Sequence, residues 1–116
     1  MTPTEISDIL ALERKALVLT ALQSRIGEAR GMHVAELSSV TMLHARICRK
    51  AIELLRLDGV QLCGKPETGY YIAATAEELT NTTDWMFKRA AKTLKQISRM
   101  TKVALPALVG QINLDD

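Results

Sequence analysis

One stretch constrains the fold of this chain more than any other: Leu43 to Leu57. Turned on a helical wheel from Leu43, the residues Leu54, Ile47, Ala51, Leu55, Cys48 and Ile52 fall between about 0° and 180°. Arg56, Arg49, Glu53, Arg46 and Lys50 fall between about 220° and 340° by the same count. Half of this cylinder is built to be covered by the rest of the chain, and the other half is a basic stripe. With 116 residues there is material for one domain and one extension. A chain of that size hides roughly two-thirds of its unfolded surface. Apolar residues make up 47% and charged residues 24%, which excludes wholesale disorder.

The segments around that helix are short and well punctuated. Thr2-Pro3-Thr4-Glu5 reads as a helix start, with Thr2 as the cap, Pro3 in the first turn and Glu5 reaching back. Apolar residues from Ile6 to Ile26 continue a helical spacing to Gly27, with a bend or break expected at Leu12–Lys15, where the stripe changes. Met32-His33-Val34 allows a single edge strand, and residues 35–40 a short helix. Thr41 is a cap or turn residue before the long helix at 42–57, which Asp58-Gly59 stops. Val60–Cys63 and Tyr70–Ala73 read as the strands of a β-hairpin around the turn cluster Gly64–Gly69. Thr75-Ala76-Glu77-Glu78 is a capping box opening a helix that runs to about Lys102.

A helix that is basic on one face and apolar on the other suits the DNA major groove, where Arg is well shaped to grip guanine. Arg46, Arg49 and Lys50 would enter the groove, with Thr41, His44 and Arg56 supporting at the backbone. Lys65, at the hairpin turn, would touch a phosphate or the minor groove. Six cations on phosphates would give a slope of about −5 in log affinity against log salt. The plainer reading of the same stripe is an exposed helix face with ordinary surface pairs among Glu53, Arg49 and Arg56. Bulk charge does not choose between them, because the net charge is only +2.

Leu55-Arg56-Leu57-Asp58-Gly59-Val60-Gln61-Leu62-Cys63, then Gly69-Tyr70-Tyr71-Ile72-Ala73, then Thr75-Ala76-Glu77-Glu78-Leu79 resemble small phage- and prophage-encoded winged helix-turn-helix proteins. The resemblance covers about residues 32–100. It departs at Gln61, where such proteins often carry proline, and at Val40-Thr41-Met42, which replaces a polar or glycine turn. It implies a fold that is mainly α with a small β-hairpin and a long C-terminal helix. It also implies binding to double-stranded DNA, in transcriptional regulation or as a replication accessory.

In the last long helix Leu79, Thr83, Met86, Ala90, Thr93, Ile97 and Met100 are spaced four and three alternately, a heptad seam. Such a seam calls for a partner, either a second copy in a homodimer or the Ile6–Ile26 helix folded back. Leu79, Met86, Ala90, Thr93, Ile97 and Met100 are the expected dimer interface. Bases at Lys88, Arg89, Lys92, Lys95 and Arg99 follow acids at Glu77, Glu78 and Asp84, an order the helix dipole favours by itself. Trp85 lies among these cations, either anchoring the helix or marking a contact patch for DNA or protein.

The expected organisation is a domain over 1–75, a helix over 76–103 and a flexible tail over 104–116. His33, His44, Cys48 and Cys63 lack metal-ligand spacing, and Cys48 falls on the apolar arc as a buried thiol. Phosphate loops, nucleophile elbows and paired carboxylates are missing, so neither an enzyme nor a cofactor is expected. No apolar run approaches a membrane span and no secretory signal opens the chain; two cysteines point to the reducing cytoplasm. The rival function is a protein–protein interaction module of the same fold that does not bind DNA, using Trp85 and the seam. Single-strand binding is disfavoured because Tyr70 and Tyr71 point to opposite faces of a strand.

Overall fold

The structure is a computed structural model that describes residues 1–112, so the last four residues of the expected tail lie outside the described residues. It is mainly helical, with one two-stranded antiparallel sheet. Helix α1 spans Pro3–Leu22 and opens as its first residues dictate. The Thr2 hydroxyl accepts from the Glu5 amide and the Glu5 carboxylate accepts from the Thr2 amide, each at 3.1 Å. The helix is unbroken across Leu12–Lys15, contrary to the expected bend. The change of stripe marks instead where α1 meets the core: Val18 and Leu22 are fully buried, whereas Ile6, Ile9, Leu10 and Leu12 remain exposed.

Helix α1 also stops before Ile26, because the backbone there is claimed by the sheet. Arg25 accepts from the Ile72 amide, and Gly27, at a φ of 93°, donates to the Ile72 carbonyl. A 3-10 turn over Glu28–Arg30 follows. The expected edge strand shrinks to one residue: Met32 and Tyr70 exchange both backbone hydrogen bonds at 2.8 Å.

Helix α2 (Val34–Thr41) and helix α3 (Ala45–Leu57) are joined by Met42, Leu43 and His44. Met42 takes the left-handed conformation, φ 62° and ψ 22°, that ends α2. The Thr41 hydroxyl donates to the Leu37 carbonyl at 2.7 Å and accepts from the Leu43 amide at 3.3 Å, while the Ser38 hydroxyl donates to the Leu43 carbonyl. The long helix therefore begins at Ala45 rather than Met42. His44 caps it, its Nδ1 accepting from the Arg46 amide at 3.1 Å.

Strands β1 (Leu62–Lys65) and β2 (Gly69–Ile72) form the hairpin, with Leu62 opposite Ile72 and Lys65 opposite Gly69. The loop Pro66–Thr68 has three residues, longer than the tight kind, and Gly69 after it sits at a φ of 77°. Helix α4 covers Ala76–Thr101. At its start the Thr75 hydroxyl accepts from the Glu78 amide as the sequence implies. The Glu78 carboxylate accepts chiefly from the amides of Ala74 and Glu28, at 2.8 and 2.9 Å. Helix α5 (Leu105–Gly110) corrects the expectation of a flexible tail from 104. Pro106 stands in its first turn, where a missing N–H costs nothing.

The chain divides into two compact units, Met1–Thr82 and Thr83–Asp116. In the first, Val18 and Leu22 of α1, Leu37 of α2, and Cys48, Ala51, Ile52 and Leu55 of α3 pack with Met32, Leu62 and Tyr70 as one core. The other face of the hairpin carries Cys63 and Tyr71, buried as well, beside Thr82, whose hydroxyl accepts from the Gly64 amide at 3.1 Å. In the second unit, Ser98 of α4 donates to the Val103 carbonyl at 2.6 Å, and Leu108 of α5 is buried.

Candidate nucleic-acid interface

Helix α3 is two-sided in the folded chain. Cys48, Ala51, Ile52 and Leu55 are buried, and Ile47 and Leu54 are half-buried at the margin. Arg46, Arg49, Lys50 and Glu53 are all exposed. Among the described residues, no hydrogen bond or ion pair engages the Arg46 or Arg49 side chain. Lys50 meets Glu53 at 3.2 Å, an exposed pair of the kind worth about 0.3–0.5 kcal/mol at helix spacing. Three cations are thus presented on one edge with little to hold them to the protein.

Arg56, expected to support at the DNA backbone, stands apart from the stripe because its guanidinium is engaged within the chain. Its Nε donates to the Leu62 carbonyl at 2.7 Å and its Nη2 to the Gly64 carbonyl at 3.0 Å. The guanidinium also lies over the Tyr70 ring, 5.8 Å from its centroid. Burial lowers its pKa from the ordinary guanidinium value, opposed by Tyr70 and Cys63, so that the cation is held chiefly as a bracket between α3 and β1. The wheel places Arg56 at the edge of the basic arc, and a hairpin folding back on that edge claims it.

Thr41 and His44 are likewise spent on the turn and the helix cap, although the His44 ring is exposed. Lys65 ends β1 and is half-buried; Pro66, Glu67 and Thr68 form the tip. One contact at this tip carries no sequence signal: the His33 Nε2 lies 3.1 Å from the Glu67 carbonyl oxygen, tying the chain before α2 to the hairpin loop. A pairing across thirty-four positions has no local pattern to betray it.

Cys48 and Cys63 are free and buried. Burial raises the Cys63 thiol pKa, partly countered by Thr82. Tyr70 and Tyr71 are also buried, so neither is a platform for an unstacked base. Among the described residues no group of three or more His, Cys, Asp or Glu side chains is placed to hold a metal ion, and no helix is long and apolar enough to cross a membrane.

On α4, Met86 and Ile97 are each 39% exposed and Met100 is 83% exposed; Ala90 and Thr93 are exposed too, and Leu79 is half-buried. Arg89 lies 4.8 Å over the half-buried Trp85 ring. Compared with protein families, with curated proteins and with solved structures, the chain matches none.

Proposed function

We propose that the chain is a winged helix-turn-helix protein that binds double-stranded DNA, of the phage or prophage type, as a regulator of transcription or a replication accessory. In this reading α3 enters the major groove and the hairpin is the wing. The observation that carries it is the free edge of α3: Arg46 and Arg49 are exposed with no partner among the described residues, on a helix whose opposite face is core. Lys50, and Lys65 at the end of β1, add cations for phosphates. The element order α1, single-residue bridge, α2, α3, β1, β2 supports the same reading.

Fluorescence anisotropy with random and enriched duplexes at several salt concentrations tests it. With Arg56 withdrawn, four cations on phosphates give a slope of about −3.6 per protomer in log affinity against log salt. Arg46→Ala and Arg49→Ala each weaken the enriched site by about 1–3 kcal/mol and blur its sequence preference. A slope near zero, or unchanged binding in both variants, rejects the assignment in favour of a protein–protein module.

A second copy is proposed as the partner of the α4 seam, supported by the exposure of Met86, Ala90, Thr93, Ile97 and Met100 along one strip at heptad spacing. Two protomers would place two α3 helices on one duplex, as paired half-sites require.

A further inference from the structure

Beside the basic edge of α3, α1 and α3 leave an open groove of about 430 Å³. Leu10 of α1 and Ile47 and Leu54 of α3 give it an apolar floor, and Arg14, Arg46 and Lys50 stand around it. None of its lining residues is acidic. Among the described residues, the Arg14 and Arg46 side chains have no hydrogen-bond or ion-pair partner, and the Lys50 ammonium has only its exposed contact with Glu53. The volume lies in the range of about 300–1,000 Å³ typical of small-molecule sites.

An apolar floor and a cationic rim are complementary to one kind of occupant. A phosphate alone would leave Leu10, Ile47 and Leu54 in water; a neutral hydrocarbon would leave the guanidiniums unpaired. We infer that the groove binds a small amphipathic carboxylate, the size of a medium-chain fatty acid or a naphthoate. Its hydrocarbon covers the three apolar side chains and its carboxylate accepts from Arg14 and Arg46. Because Arg46 and Lys50 also belong to the DNA edge, occupancy and duplex binding exclude one another, which makes the groove an effector site. That second half rests on the DNA-binding reading above; the first does not.

The test is a titration of the full chain followed by NMR, using octanoate and 1-naphthoate, with octanol and octylammonium as charge controls. Saturable shifts confined to residues 7–14 and 46–54 are expected with the carboxylates only. Arg14→Gln should weaken binding by about tenfold or more, the worth of one charge-assisted hydrogen bond. Leu10→Glu should abolish it; Leu10 is 40% exposed, and an unchanged circular dichroism spectrum would verify the fold. Equal binding of octylammonium, shifts centred elsewhere, or no saturation at millimolar ligand overturns the site. In the second arm octanoate releases a bound duplex from the native chain but not from Leu10→Glu. Should octanoate fill the groove while the duplex stays bound, exclusion is overturned and the carboxylate site stands. Should no duplex bind at all, the DNA reading fails and the effector role with it, while the titration still decides the site.

Discussion

Arg49 and Arg56 stand about two turns apart on α3 and are used differently. Arg49 is exposed, whereas Arg56 donates to two strand carbonyls and covers Tyr70. Arg56→Ala strands the Leu62 and Gly64 carbonyls at a half-buried position and should cost about 2–3 kcal/mol in urea denaturation. The salt slope of duplex binding should not change; an unaltered stability with a shallower slope would return Arg56 to the DNA face. Glu78 offers the matching test for an acid. Hydrogen bonds from the Glu28 and Ala74 amides hold its carboxyl below the ordinary 4.5, with burial opposing and Thr75 adding a smaller lowering. A depressed carboxylate stabilises the fold fully above its unfolded-state pKa, and that contribution fades as pH falls through the folded-state value. The melting temperature of Glu78→Gln should therefore lie below that of the native chain at pH 7, and the gap should narrow as pH falls below the ordinary 4.5 and close once it is below the lowered folded-state value. A gap that is constant down to pH 2 would show that the ionised carboxylate is not what matters.

At the scale of elements, the hairpin is held open to its neighbours by small residues. Gly64 lies at a φ of 107°, and a Cβ there would come 2.0 Å from the Gly69 carbonyl oxygen. Strained backbone and overpacking act together, so Gly64→Ala should destabilise by about 3 kcal/mol or more. Thermal denaturation reads this directly, and loss of Met32–Tyr70 amide protection should accompany it. An unshifted melting temperature would mean that the hairpin relaxes freely, against the packing of both its faces. The turn before α3 shows a different compromise. Met42 adopts a left-handed conformation without being glycine, and the Ser38 and Thr41 hydroxyls bond the backbone on either side of it. The departure from a glycine turn is thus compensated by side chains of the preceding helix.

For the whole molecule, the proposed assembly rests on α4. Ile97 is 39% exposed between Thr93 and Met100 of the heptad strip, and Ile97→Asp should leave helix content unchanged while converting the proposed dimer into a monomer in sedimentation. On the proposed DNA-binding reading, duplex affinity should fall with it, because two half-sites would no longer act together. A native chain that sediments as a monomer at micromolar concentration would remove the seam from consideration.

The residues alone determined what depends on near neighbours. The Thr2–Glu5 box, the stop at Gly59, the two faces of α3 and the burial of Cys48 are all written within one or two helical turns. What lay beyond that reach was decided by the tertiary structure. Whether the bend at Leu12–Lys15 was a break or the edge of the core depended on where the other helices packed. Arg56 left the basic stripe only because β1 folded back along α3, and Glu78 bonds the Glu28 amide only because the fold brings that amide beside it. Periodicity records which face a helix turns inward; it cannot record which distant carbonyl or amide arrives at that face.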